Sequence, residues 1–409
     1  MLDANGKREL AYIVQIDAIE PIVGSDNCEA AVVGGWRVMT KKGTFKAGDY
    51  AVYFEIDSQV PQEEPYMFLA KKHFKVKTQK YTFGGKGNFV SQGLLMSFED
   101  FEGAPWTLSL KKRLDDGKDI LHTGLTEILG VIYADAADNK RKSASIDKYK
   151  AMAQRRPEIF RQAWAKWLMR RTWGKKLMFF FFGKKKDTKK QWPFWVVKTD
   201  EERCQNMPHL FPGDGRKWIA TEKIDGTSTT FTMKRLKRNK YDFFVCSRNV
   251  VFDKPDKKCF YDTNVYLEMA EKYDIENKMK NIMDNHPDME FLTVQGETYG
   301  ESIQKRDYHM KEHCFMAFNC IFKLKEATAP VRLNPLEMTH FLFAGSGIPC
   351  VPIVSEEFII PETCDELLLM AEGESVIDGE MREGLVFRSY DGQESFKAVS
   401  NPFLIKYHS

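Results

Sequence analysis

Between residues 8 and about 100 the chain is cut into short β-rich runs: "LAYIVQIDAIEPIV", "AAVVGGWRVMT", "DYAVYFEID" and "FVSQGLLMS". The stretches "GSDN", "KAGD" and "FGGKGN" punctuate them. β-branched and aromatic residues fit a pleated surface, while Gly, Asn and Asp supply the turns between strands. Roughly five short strands in so little chain close most simply into a small barrel. At 409 residues the chain is too long for one ordinary core, so this barrel is one unit of two or three.

The remainder reads differently. After a mixed stretch, the pattern turns helical from Ile146 to Met178 and ends at "QWPFWVVKTDEERCQN", where Pro193 breaks the helix. Beyond it, "WIATEKIDGTSTTFTMKR" and "YDFFVCSRNV" read as paired strands, followed by a helix from Asn264 to Met283. "EFLTVQGETYG", "HCFMAFNCIFK", "EGLVFRS" and "SFKAVS" supply further strands. The expected architecture is α+β. An OB-like β-barrel occupies 1–105, a helical basic linker 106–197, and antiparallel sheets flanked by helices 198–409.

Composition narrows the setting. The longest apolar run, "LMFFFF", is too short to span a bilayer, and "MLDANGKREL" has no apolar signal core. Eight cysteines without a C-x-x-C pair fit reduced thiols. An intracellular protein of cytoplasm or nucleus is expected, not a secreted or membrane one. "HMKEH" puts His309 and His313 at helical i,i+4 spacing, but with no third ligand in view it is read as structural.

Charge is unevenly placed. Residues 161–190 hold eleven basic side chains against Asp187 alone, giving +10 there and −7 elsewhere in a chain of net +3. Lys184, Lys185, Lys186, Lys189 and Lys190 make the densest part. Trp164, Trp167, Trp173 and Phe179 to Phe182 interleave with the basic residues. The charge reads as attraction for a phosphate backbone, the aromatics as a face packed on a neighbouring element.

The chemistry centres on "TEKIDGTSTT", where Lys223 precedes Asp225 and Gly226. By itself this is a strand running into a D-G turn. The order of the residues downstream changes the reading: Ser247-Arg248-Asn249, Glu297 in "QGETYG", Phe318 in "FMAFN", Glu383 in "REGLVFR" and Lys397 in "SFKAVS". A lysine amine attacks phosphorus only when neutral, against an ordinary pKa of about 10.4. Cations such as Arg248, Lys397 and a divalent metal are expected to lower it. They would also meet charge gathering on an α-phosphate. Asp225, Glu297 and Glu383 suit a hydrated Mg2+ or Mn2+, the ribose or the lysine itself, and Phe318 offers a base a stacking face.

That order resembles the motif series of the ligase and capping-enzyme superfamily. Within it the chain is most similar to the nick-sealing RNA ligases with an N-terminal OB domain known from Deinococcus and Naegleria. "GWRVMTKKGTFKAGDYAVYFEIDSQVP", "VSQGLL" and "KTDEERCQN" extend the likeness over most of the chain. The resemblance implies that Lys223 carries AMP from ATP, with Glu222, Ile224 and Gly226 flanking it at the nucleotide. It implies that Arg248, Asn249 and Glu297 contact the nucleotide, that Phe318 sandwiches the base and that Lys397 meets the α-phosphate. Asp225 and Glu383 would serve the lysine and, with Glu297, a metal held through water; Arg203 and Gln205 are looser candidates. Many relatives carry a second lysine where this chain has Val399, and Lys406 is the nearby candidate to compensate. Only "AVSNPFLIKYHS" follows Lys397, which sets the chain apart from DNA ligases and capping guanylyltransferases, whose OB domain comes last. The expected activity is joining of RNA 3′-OH and 5′-phosphate ends at nicks in duplex RNA, by a monomer. The opposing reading is a non-catalytic RNA-binding protein that keeps the fold.

Overall fold

The computed structural model describes residues 1–2, 8–85, 87–134, 159, 162–182, 192–197, 200–252, 261 and 263–407. Lys184, Lys185, Lys186, Lys189 and Lys190, the expected helix before residue 159 and the side chains of Phe179 to Phe182 lie outside what is described.

In the N-terminal unit, strands Ala11–Gln15, Tyr50–Phe54 and Leu94–Met96 form one antiparallel sheet, and Ala18–Pro21, Cys28–Val33 and Trp36–Lys41 another. The first strand is buried on both faces. Ala11 and Ile13 enter one apolar cluster with Val52 and Phe54, while Tyr12 and Val14 enter a second with Trp36 and Tyr53. Alternate residues serving two cores explain why "LAYIV" is an unbroken apolar run. Helix Pro105–Asp115 and the segment after it belong to this unit. Leu110, Ile120, Leu125 and Val131 complete its core, and Ile132–Tyr133 pairs with Ser58–Gln59. Apolar side chains beyond the expected boundary at 106, out to Tyr133, thus pack with the barrel.

Next come two short helices, Ala163–Met169 and Thr172–Phe182. The C-terminal domain follows as two sheets. Six strands, in the order Val251–Phe252, Tyr241–Ser247, Thr227–Arg235, Met289–Gly300, His313–Leu324 and Val331–Arg332, make an antiparallel sheet. Five strands, Glu202–Arg203, Ser395–Val399, Gly384–Arg388, Lys217–Lys223 and Ile353–Ile359, make the other. The expected helix from 264 to 283 is two: Val265–Lys272, capped by the Asn264 side chain, and Ile275–Asn285. They part at Asp274, whose φ of 50° is left-handed and ends an α-helical run. Both pack on the six-stranded sheet through Met269, Ile275, Met279 and Met283.

The two units dock at the start and end of the C-terminal domain. Arg8 pairs with Glu202 at 2.5 Å, and the Arg203 guanidinium lies 5.5 Å from the Trp36 ring. Val90 of the barrel packs against Val399 and Leu404.

Candidate active site

The lysine sits where the chain leaves one sheet for the other. Strand Lys217–Lys223 belongs to the five-stranded sheet and Thr227–Arg235 to the six-stranded one. Three residues make the turn between them. Ile224 is buried in the core on the six-stranded sheet. Asp225 is buried too, and its backbone N–H donates to the Tyr308 hydroxyl at 2.7 Å. A Cβ at Gly226 would stand 2.4 Å from the Thr298 carbonyl oxygen and 2.8 Å from Glu297 Cγ. Glycine lets the turn lie against the strand that carries Glu297.

Lys223 Nζ donates to Glu383 Oε2 at 2.7 Å. Glu383 immediately precedes strand Gly384–Arg388, whose first residue pairs with Lys223 in the sheet. Glu297 reaches the same place from the six-stranded sheet, opposite Ser228. Lys223 and Glu297 border a cavity of about 240 Å³, with Glu383 behind the lysine and outside the lining. Its lining joins the polar groups Lys223, Glu222, Glu297, Arg248 and Lys397 to the apolar Phe318, Ile224, Val351 and Val386. A flat ring fits against the second set and a phosphate among the cations of the first.

Electrostatics departs from the expectation that cations dominate the lysine. Burial by itself favours neutral Lys223, but Glu383, Glu297 and Asp225 outweigh it and hold the ammonium above its ordinary value. Arg248 is paired with Asp200, at 2.5 Å. Lys397 donates to the same carboxylate at 3.0 Å. Burial lowers the Lys397 pKa, with Lys223 adding to the effect and Asp200 opposing it. Glu297 is pushed up to about 8, chiefly by burial, with Glu383 and Asp225 adding to it against Lys223.

Asp200 and Glu201 were missed in the sequence. Glu201 accepts from Arg332 at 2.6 Å, from Arg388 at 3.2 Å and from the Ser395 hydroxyl, and both acids line the cavity. They open a run of three acids, Asp200 to Glu202, ahead of Arg203, which by itself carries no mark of the partners each one meets.

The remaining candidates are spread around the cavity. Glu222 borders it, but its carboxylate accepts from the Ser375 hydroxyl and the Val376 N–H, at 2.5 and 2.8 Å. Asp225 and Gly226 lie behind Lys223, outside the lining, and exposed Asn249 is also outside it. Arg203 lines an adjoining polar cavity shared with Asp200, Arg248 and Lys397. Gln205 instead faces a third cavity between the two units, beside Tyr12 and Trp36. Lys406, the candidate for a second motif lysine, is 3.7 Å from Glu380 and not in the lining. Val399 is buried against Val90 and Leu404. His309 and His313 are not on a helix. His313 begins a strand, where its ring meets the Glu268 carboxylate at 2.9 Å and the Glu301 carbonyl at 3.1 Å.

Among the described residues no three His, Cys, Asp or Glu side chains form a ready-made metal cluster. Yet Glu383 and Asp225 lie near enough to add to the effect of burial on Glu297, and such a concentration of negative charge is one that a divalent cation relieves. Hard oxygen donors at this looser spacing suit a cation that keeps part of its water shell.

A lysine tethered to a carboxylate at a sheet-to-sheet turn, with an apolar slot and two cations beside it, defines a site of the covalent nucleotidyltransferase type. Residues 216–407 match the RNA ligase family model, and residues 10–97 match an OB-fold domain model. Among solved structures, Naegleria gruberi RNA ligase in a ligand-free mutant form is 26% identical, with a TM-score of 0.61 over 98% of this chain and 99% of that one. A mutant of the same enzyme with ATP and Mn is 26% identical at a TM-score of 0.61, over 98% and 100% of the two chains. A third, with AMP and Mn, is 25% identical at 0.61, over 98% and 99%. No curated protein sequence matches. Along nearly its whole length the chain is therefore similar to RNA ligase, with a segment matching an OB-fold domain in front of the one matching the ligase domain.

Proposed function

We propose that this ATP-dependent RNA ligase joins 3′-OH and 5′-phosphate RNA ends, at nicks in duplex RNA, through lysyl-AMP and RNA-adenylate intermediates. The observation that carries the reading is Lys223 Nζ held 2.7 Å from Glu383 at a cavity bordered by Phe318, Glu297, Arg248 and Lys397. Likeness along nearly the whole chain to a ligase solved with ATP and Mn supports it.

In the first step Lys223 Nζ bonds to the α-phosphorus of ATP and the bond to pyrophosphate breaks. The lysine proton leaves toward Glu383, its hydrogen-bond partner. Phe318 with Ile224, Val351 and Val386 orients the base. Lys397 and Arg248, released from Asp200, face the phosphate as charge develops there. A divalent cation near Asp225, Glu297 and Glu383 would supply positive charge that favours the neutral lysine. In the second step the 5′-phosphate oxygen of an RNA end takes AMP from Lys223. In the third, a 3′-OH attacks that end and AMP departs, which requires both ends to be held in line. The reading covers a monomer working inside the cell. The seven described cysteines are free, and no helix among the described residues is long and apolar enough to cross a membrane.

The test is incubation with α-labelled ATP or GTP, followed by a denaturing gel. Label from ATP stays with the wild type and is lost in Lys223→Ala. Glu383→Ala and Lys397→Ala slow labelling on the order of a hundredfold. Label retained by Lys223→Ala, or preference for GTP, would overturn the assignment. A protein that never labels but still binds RNA ends would be the non-catalytic alternative.

A further inference from the structure

The two helices Ala163–Met169 and Thr172–Phe182 carry an aromatic surface that nothing in the site uses. Trp164, Trp167 and Trp173 expose 51, 50 and 51% of their surface, whereas packing on a neighbour was expected of them. Trp167 meets Trp173 edge-on at 6.2 Å between centroids, and the Arg171 guanidinium covers the Trp167 ring at 4.1 Å. The helices press on each other: a Cβ at Gly174 would lie 2.1 Å from the Leu168 carbonyl oxygen, and Ala165 is fully buried. The tryptophans are thus carried on a fixed hairpin. Residues 162–182 contain five basic residues, Lys166, Arg170, Arg171, Lys175 and Lys176, and no acidic one.

We infer that this hairpin binds a single-stranded stretch of the RNA being joined, a role that rests on the ligase reading for its substrate. Paired bases hide their faces in the stack, so indole rings on a surface are useful to unpaired ones. Lysines and arginines beside the rings neutralise the accompanying phosphates. A membrane surface is the competing occupant for exposed tryptophan amid basic residues. The Arg171–Trp167 stack favours RNA. A guanidinium lying on the ring would have to follow it into the apolar layer, whereas beside a stacked base it meets a phosphate.

The experiment uses the full chain and two nicked RNA duplexes, one blunt and one carrying a ten-nucleotide single-stranded extension beside the nick. Wild type is expected to bind the extended duplex at least about tenfold more tightly, since base–aromatic stacking is typically strong enough for that. The triple variant Trp164→Leu, Trp167→Leu, Trp173→Leu keeps apolar bulk, so the hairpin still packs, yet binds both duplexes alike. Replacing Lys166, Arg170, Arg171 and Lys176 by alanine lowers the log–log salt slope for the extended duplex by roughly 0.7 for each phosphate no longer neutralised. RNA-free labelling by ATP stays at the wild-type rate in both variants. It tests the ligase chemistry separately: a preparation that does not label but shows the tryptophan-dependent preference supports the inference while sinking the ligase reading. Equal binding of the two duplexes by wild type overturns the inference. So does an unchanged preference in the leucine variant, or tryptophan-dependent binding to phosphatidylserine vesicles without any to RNA.

Discussion

Lys223 is poised by neighbours that disagree about its proton. Burial favours its neutral form, Glu383, Glu297 and Asp225 outweigh burial, and Glu297 is itself pushed up to about 8, chiefly by burial. A carboxyl whose folded pKa lies above its unfolded value stabilises the fold most below the unfolded value, and that stability is lost as pH rises through about 8. In EDTA, Glu297→Gln is therefore expected to raise the melting temperature, by a margin that widens from about pH 5 to about pH 8. A flat margin across that range would mean that Glu297 does not titrate as described. Tyr308 works one step back, as a positioning residue. Its hydroxyl accepts the Asp225 N–H, and Gln304 Nε2 donates to the Gly226 carbonyl at 2.9 Å, so the loop around 304–308 braces the turn behind the lysine. Tyr308→Phe leaves that buried N–H without its acceptor, at a cost of about 1–3 kcal/mol. Lysyl-AMP formation should slow about tenfold with little change in KM for ATP. Equal losses in both parameters, or none, would argue against the brace. Lys223, Arg248, Glu297, Phe318 and Lys397, which line one cavity, were legible as a group because their types and order are unusual. Tyr308 and Asp200 were not, since a tyrosine in a loop and an acid before a strand carry no local mark of what they touch.

Strands were the most readable elements, and the reason is visible in their burial. The run around residues 10–14 is apolar throughout because two cores share it, and residues 289–300 carry Glu297 on a strand that is otherwise almost wholly covered. The helical region at 264–285 was readable in kind but not in number. Its break depends on one left-handed Asp274, a conformation that aspartate adopts only when its surroundings require it. Strand Ser395–Val399 shows where family pattern and packing part company. Lys397 reaches the cavity, while Val399 is fixed under Val90 and Leu404. Val399→Lys should consequently not quicken adenylation. It should lower stability by several kcal/mol, the usual consequence of an unpaired charge among apolar side chains. A faster, undiminished enzyme would show that the lysine escapes into the site.

Across the whole molecule, docking of the barrel onto the ligase domain was not written in either segment. It rests on pairs far apart in the chain, Arg8 with Glu202 and Val90 with Val399. Both ligase-side partners belong to strands of the five-stranded sheet that also presents Lys223 and Lys397. Val90→Glu, which puts a carboxylate among those apolar side chains, should loosen docking and split the thermal transition in calorimetry. Joining from pre-adenylated protein should fall at least about tenfold, because both RNA ends then lack a fixed frame. Formation of lysyl-AMP should fall less. Parallel losses would indicate that the barrel supports the nucleotide site rather than the RNA.

Asp200 has a consequence for the resting protein. With Arg248 on one oxygen and Lys397 on the other, it sits as an internal counter-anion between the two cations that would otherwise grip any stray phosphate. An incoming nucleotide has to evict this tenant, and a bare phosphate, with no ring to seat beside Phe318, brings too little to do so. The site is in effect self-plugged, which would protect it from inorganic phosphate and from idle lengths of RNA backbone. Asp200→Asn should then be inhibited by pyrophosphate at concentrations that leave the wild type working. Discrimination against simple anions would thus come from a carboxylate that the reaction itself never uses.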